Sequence, residues 1–531
     1  MSLHALSARR VVPARAWRRD LARDVLPVYV ATRLFFVACT LVLPLLLSVT
    51  GTTGLIPHGE TGTPFDAWSR YDVRWYDDLA RFGYNLHGPD DYKNVAFFPL
   101  FPLLTRSLHD VLTLLGFGHV SAHAPDPLFL VAGMLVSNAC ALVAFAFFYG
   151  LVRLDHGRPV ARRAVTLLAL SPLGFYFFAA YSESAFLLCA VGCFYALRLE
   201  RWRQAGLWGL LAAATRPPGA VLVVPFALAW AGAHPIVTRP LVARLRLAGR
   251  AVAARVRARR VRGAVVSPHA HAAVPLDLTA RRTAVPLDLT ARRTAIPLDL
   301  TARRTGGRTP RRRAGDLGGR PEPETPASVS SVSGVSGVLS IWRPRHWPEE
   351  VWHALRNAAP AAAIPLGLGL FMAFLYRFFG NPLWFSEAQH AWWRTFAPPW
   401  ETLIISVTWP LGDLLGRHVT YWDPFALHDL AYEVAGLVLT WQVWRFLPRA
   451  QSVYVWLIWI VILSSPAMLD EQLTHEPHRD VLMSLPRMLL MMFPLFTYLA
   501  LRRRLYPWLT AAFAAGLIFY TMRFLTGGWI S

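Results

Sequence analysis

Asp72, Glu183, Arg216 and Arg487 each lie inside or beside a hydrophobic block of this sequence. An ionisable group in or next to a membrane span is costly, so it is a functional candidate by default. A carboxylate can take the proton of an attacking hydroxyl. Arginine meets a phosphate through paired N–H donors. The set therefore suits group transfer from a phosphate leaving group to a hydroxyl. Plainer readings stand beside this one. Asp72 opens a helical pattern carried by Trp75, Tyr76, Leu79 and Phe82, where it would cap the N-terminus. Glu183 would cap the end of a span. Arg216 and Arg487, each next to proline, would snorkel to the surface.

Asp72 belongs to the stretch YDVRWYDDLARFGYNLHGPDDYKNVAFFPLFP at 71–102, too polar to cross a bilayer and too aromatic for a solvated linker. Its carboxylates Asp77, Asp78, Asp90 and Asp91 are either solvated or hold a divalent cation with a phosphate. Mg2+ or Mn2+, with Asp77 and Asp78 as candidate ligands, is the one cofactor the sequence admits. Trp75, Tyr76, Phe97 and Phe98 suit either a prenyl chain and sugar face or an anchor at the membrane interface.

The elements that must position these residues are membrane helices. The chain has 531 residues, 54% hydrophobic and 16% charged, against about 25% charged in soluble proteins. We expect an all-α polytopic membrane protein with about nine to eleven transmembrane or re-entrant helices, from apolar blocks of about 17–25 residues. Residues 1–24 form a basic N-terminus that stays cytoplasmic through Arg9, Arg10, Arg15, Arg18, Arg19 and Arg23. Two membrane regions follow, 25–232 and 358–531. Spans are expected at 25–49, 127–151, 164–180, 184–198, 358–379, 424–446, 452–468, 487–501 and 506–525. Residues 50–126 then form an extracytoplasmic loop carrying interfacial helices. A further interfacial helix is expected over 381–399, and a re-entrant stretch at 402–416. The block 205–232 is broken by Thr215-Arg216-Pro217-Pro218-Gly219, which predicts two half-helices that enter and return with Arg216 at the tip.

Segment 233–357 is a basic, low-complexity cytoplasmic insert. It holds three tandem eleven-residue units at 273–305, the first reading AVPLDLTARRT. A proline in every copy argues against a continuous helix and for a duplicated linker. The net charge of +22 follows cytoplasmic loops and this insert, so it indicates membrane topology rather than nucleic acid. One lysine, Lys93, against a large excess of arginine points to a GC-rich prokaryotic genome. The four cysteines lie in apolar spans without zinc spacing. His475-Glu476-Pro477-His478 lacks the helical zinc spacing. No phosphate-binding glycine loop or nucleophile elbow is present, which weighs against a nucleotide-driven pump.

Several blocks in order carry a family resemblance. They are Asp72, Trp75, Tyr76, Ala80, Gly83 and Tyr84 followed by AFFPLFPLL at 96–104; Tyr181-Ser182-Glu183-Ser184; the turn around Arg216; FSEAQHAWWRTFAPPW at 385–400; and SLPRMLLMMFPLF at 484–496. Together they resemble the PIG-V family of mannosyltransferases over nearly the whole chain outside 233–357. One departure is Tyr71, where that family usually has tryptophan. FDAW at 65–68 offers a competing frame, but the distance to Gly83-Tyr84 favours Asp72.

The resemblance implies a glycosyltransferase of the GT-C fold with its site on the extracytoplasmic or lumenal face. It implies a polyprenyl- or dolichyl-phosphate sugar as donor, the sugar being mannose. The composition points to a prokaryotic plasma membrane rather than the endoplasmic reticulum. The acceptor is then a cell-envelope lipid, glycan or protein. In these terms Asp72 is the base, with Glu183 orienting the acceptor or sharing that role. Arg487 and Arg216 hold the donor phosphate. Trp75, Tyr76, Tyr84, Phe97, Phe98, Ser182 and Ser484 contact substrate or lipid. The rival readings are a transporter or flippase of a lipid-linked sugar, and a noncatalytic GT-C-like subunit. No repeat relates the two halves, and the unusual polar residues gather at one face, which favours an enzyme over a transporter.

Overall fold

The computed structural model describes residues 14–49, 64–85, 91–117, 126–235, 237–238, 349–414, 424–467 and 481–528. The repeats at 273–305, Asp90, the side chain of Asp91 and the 475–478 motif lie outside the described residues. The described residues fall in one compact unit, 1–242 with 348–531. Its regular structure, among the described residues, is helical apart from one isolated bridge between Arg394 and Ala467.

Among the described residues, four helices are long and apolar enough to cross a membrane: Trp17–Val49, Leu128–His156, Glu349–Phe379 and Tyr506–Leu525. The first joins α1 (Ala14–Asp20) through a π turn to α2 (Leu26–Val49). Leu34, Leu45, Trp508 and Phe519 are exposed on these helices, an apolar surface that suits lipid. After α2 the chain forms α3 (Asp72–Phe82), which buries Val73, Tyr76, Leu79 and Ala80 on one face and stops at Gly83, φ 75°. It then runs through the amphipathic α4 (Leu100–Leu114) into α5 (Leu128–His156). Two helices, α3 and α4, thus stand between the first two candidate spans.

Two expected spans are broken. Residues 164–180 do not form one helix: α6 (Arg158–Ala169) stops early. A buried irregular segment follows, with a 3-10 turn at Gly174–Phe177, and leads into α7 (Glu183–Arg198). Its carbonyls are satisfied from the bundle. Arg33 of α2 donates to Phe177 O at 2.9 Å and Asn138 of α5 to Phe178 O at 3.0 Å. An apolar run read by hydropathy alone hides such a segment, because its polar partners come from other helices.

The block 205–232 does turn back. It consists of α8 (Trp202–Thr215), a 3-10 turn Pro217–Leu222 and α9 (Val223–Ala233). Trp202, which opens α8, packs at 5.6 Å on both Phe226 and His234 from α9 and its end. The chain thus reverses near extended Arg216. Next come α10 (Glu349–Ala358) and α11 (Ala363–Phe379), and α11 crosses α8 at glycines: a Cβ on Gly367 would lie 2.2 Å from Leu210 O.

The expected interfacial helix at 381–399 is instead two short turns, α12 (Trp384–Glu387) and the 3-10 segment Ala388–Trp392. Then come α13 (Pro399–Leu414), α14 (Pro424–Phe446) and α15 (Arg449–Leu463). The expected span 487–501 is split over 490–492 into α16 (Leu485–Leu489) and α17 (Phe493–Leu501), with Pro494 in the first turn of α17. The last helix is α18 (Tyr506–Leu525). Ion pairs gather at the start of α2, where Asp24 meets Arg158 at 2.8 Å and Asp20 meets Arg153.

Candidate functional site

Asp72 opens α3, where its carboxylate complements the helix N-terminus. Its Oδ2 accepts Nη1 of Arg487 at 2.5 Å. Arg487, from α16, also donates through Nε to Glu183 Oε1. The same Oε1 accepts Nη2 of Arg216 at 2.6 Å. Arg216 Nε donates to Ser182 Oγ at 2.8 Å, and Ser182 shares a 2.6 Å hydrogen bond with the Tyr76 hydroxyl. Burial pushes the Tyr76 phenol above its usual range, so it stays neutral beside these charges. Six predicted site residues, 415 positions apart at the extremes, form one network.

The network faces a cavity of about 320 Å³. Asp72, Tyr76, Arg216, Ser484 and Arg487 line it, as do Phe97 and Phe98. Ile458, Val461, Ile462 and Met488 make an apolar wall. Glu183 sits behind the guanidiniums with no exposed surface, while the Asp72 side chain keeps 22% of its surface. Glu183 is thus held against the two arginines and does not itself line the cavity.

The other predicted contacts divide. Trp75 stacks on Phe97 at 6.2 Å and meets Trp392 edge-on at 6.0 Å, behind the lining. Tyr84 packs on Phe371 and donates to Phe97 O at 2.7 Å, so it braces the wall rather than lining it. Phe98 is wedged between Phe371 and Phe385. Asp77 pairs with Arg81 at 2.7 Å, and Asp78 accepts from Asn94 at 3.5 Å. Neither lines the cavity, and no group of three metal-ligating side chains occurs among the described residues. Asp77 and Asp78, paired away from the lining, thus do not fit a metal at this cavity. Asp66 of the competing frame is buried and does not line the cavity either.

Tyr176, Tyr181 and Arg394 were not singled out by the sequence as site residues. The Arg487 guanidinium lies 5.0 and 4.8 Å from the Tyr176 and Tyr181 rings, which meet each other edge-on at 4.8 Å, so a corner of two aromatic rings supports it. Arg394 lines the cavity and donates to Ser465 O at 3.0 Å and Met483 O at 2.5 Å. Tyr71 and Ser484, both on the lining, hold φ of 53° and 69° without being glycine. Each such position costs about 1–3 kcal/mol, and such costs cluster at functional sites.

No family model, curated protein or solved structure matches this chain.

Proposed function

We propose that the chain is an integral-membrane glycosyltransferase of the GT-C type, carrying a sugar from a polyprenyl-phosphate donor to an extracytoplasmic lipid, glycan or protein hydroxyl. The observation that carries this reading is the network of Asp72, Arg487, Glu183 and Arg216 facing a cavity with an apolar wall. Guanidiniums beside an apolar wall match an amphipathic donor, with a phosphate at one end and a prenyl chain at the other. The charge distribution supports sidedness. Ser137 of α5, which donates to Tyr181 O at 3.1 Å, marks the level of the site, whereas Arg153 lies about 24 Å further along that helix at 1.5 Å per residue. A basic far end fits the cytoplasmic face of a prokaryotic plasma membrane.

In this reading the phosphate takes outward N–H groups of Arg487 and Arg216, and Asp72 is released from Arg487 to face the acceptor. The acceptor oxygen bonds to the anomeric carbon as the bond from that carbon to the phosphate oxygen breaks. Asp72 takes the hydroxyl proton. The polyprenyl phosphate leaves with the electron pair, its added charge held by the two arginines. Displacement is direct and inverts the anomeric centre, so a β-linked phosphomannose gives an α-mannoside. Mannose itself rests on the resemblance to the PIG-V family.

The test is transfer from radiolabelled polyprenyl-phosphate mannose to a host lipid extract by purified protein, beside Asp72→Asn. Transfer by the wild type alone is expected. Full activity of Asp72→Asn would remove the base assignment. Absence of transfer by wild type from every polyprenyl-linked sugar offered would remove the function.

A further inference from the structure

We propose that the carboxyl end of α18, Phe524 to Gly527, positions Asp72 by gripping the two residues before it, so that the chain's last helix is part of the site. This rests on the reading of Asp72 as the base. Tyr71 precedes Asp72 with φ 53° and ψ −124°, a conformation that residues bearing a Cβ rarely hold. It persists only where the surroundings over-determine it.

Those surroundings come mainly from the other end of the chain. The Tyr71 hydroxyl donates to Gly527 O at 2.9 Å. Arg70 Nη2 donates to Leu525 O at 2.9 Å, and its Nε to Ala67 O at 3.2 Å. The last carbonyls of a helix lack partners within it and attract cations, so Arg70 and Tyr71 complete α18 as α18 restrains them. The Phe524 ring, fully buried, lies 5.8 Å from Tyr71 and 5.5 Å from Trp68. Trp68 in turn donates to Thr40 of α2 at 2.8 Å. On the cavity side the Tyr181 hydroxyl donates to Arg70 O at 3.2 Å, while its ring covers Arg487. The peptide that leads into Asp72 is thus held from α18 on one side and from the arginine's own neighbour on the other.

Gly527 fits this role. Its φ is +87°, and a Cβ there would lie 2.3 Å from Arg70 Nη1.

Two variants probe the grip from opposite ends in the full-length protein: Tyr71→Phe, which removes one hydroxyl, and Gly527→Ala, which drives Arg70 from Leu525 O. Amide hydrogen exchange and steady-state transfer are read on each. Exchange over 70–76 is expected to quicken in both while α5 is unchanged. The kcat is expected to fall about 100-fold, as for a misplacement of about 1 Å, with donor KM unchanged. Unchanged exchange in both variants overturns the proposal. Quickened exchange with kcat intact also overturns it, since the contact is then merely structural. If wild type transfers no sugar from any donor, the proposed reaction has failed and with it the base role, whatever the exchange shows. Wild-type transfer with variants indistinguishable from it is failure of the grip alone.

Discussion

Glu183 Oε1 takes both Arg216 and Arg487, and its residue has no exposed surface. Removing one partner of a buried ion pair leaves charge without compensation, at a cost of about 3–5 kcal/mol. Glu183→Gln is therefore expected to lower stability by on the order of 3 kcal/mol and to loosen both guanidiniums. Denaturant unfolding of the detergent-solubilised variant checks this, and a midpoint equal to wild type would show that the carboxylate charge does not hold the cluster. The four central residues were legible in the sequence because a charge among apolar residues demands a partner. Tyr176, Tyr181 and Arg394 were not, since tyrosines and an arginine in aromatic-rich stretches read equally well as interfacial anchors. Asp77 and Asp78 stood beside Asp72 in sequence yet turn to Arg81 and Asn94. Asp77→Asn is accordingly expected to leave transfer within a few-fold of wild type. A loss as deep as that of Asp72→Asn would restore Asp77 to the site.

At the scale of elements, backbone approach decides what side chains cannot. Helices α8 and α11 meet where glycines leave no room: at Gly367 a Cβ would lie 2.2 Å from Leu210 O, whereas at Gly369 it would meet nothing within 4 Å. Gly367→Ala is expected to destabilise by about 1–3 kcal/mol, since the neighbour is backbone and cannot rotate away. Gly369→Ala is expected to be neutral or slightly stabilising, because alanine is the better helix former. Thermal unfolding of the pair checks the crossing, and equal losses would place the contact elsewhere. The same physics limits what hydropathy reveals. The turn at Arg216 was legible because paired prolines cannot continue a helix. The break after Ala169 was not, because Arg33 and Asn138, from two other helices, satisfy the carbonyls that follow it. Pro494 was visible in sequence, but proline also sits inside α2 at Pro44, so its presence alone did not mark the split between α16 and α17.

For the whole molecule, the question is how an insert of low complexity can stand inside a membrane domain without dividing it. The helices on either side of it touch: Trp230 of α9 donates to Ala354 O of α10 at 2.7 Å, and Asn357 meets His234 at 3.3 Å. The chain thus leaves and rejoins the unit at neighbouring positions. Loop-closure entropy rises only slowly with length, by about 0.6 kcal/mol per doubling, so a long insertion between adjacent helices costs little. Replacing 243–347 by a Gly/Ser linker of about 20 residues, whose ends average about 25 Å apart, should bridge that gap. The shortened protein is expected to unfold at the wild-type temperature in detergent. It is also expected to keep its transfer activity, because Asp72, Glu183, Arg216 and Arg487 all lie in the remaining unit. Loss of stability would mean that the insert packs on the bundle. Intact stability with lost transfer would instead give the repeats at 273–305 a part in the reaction.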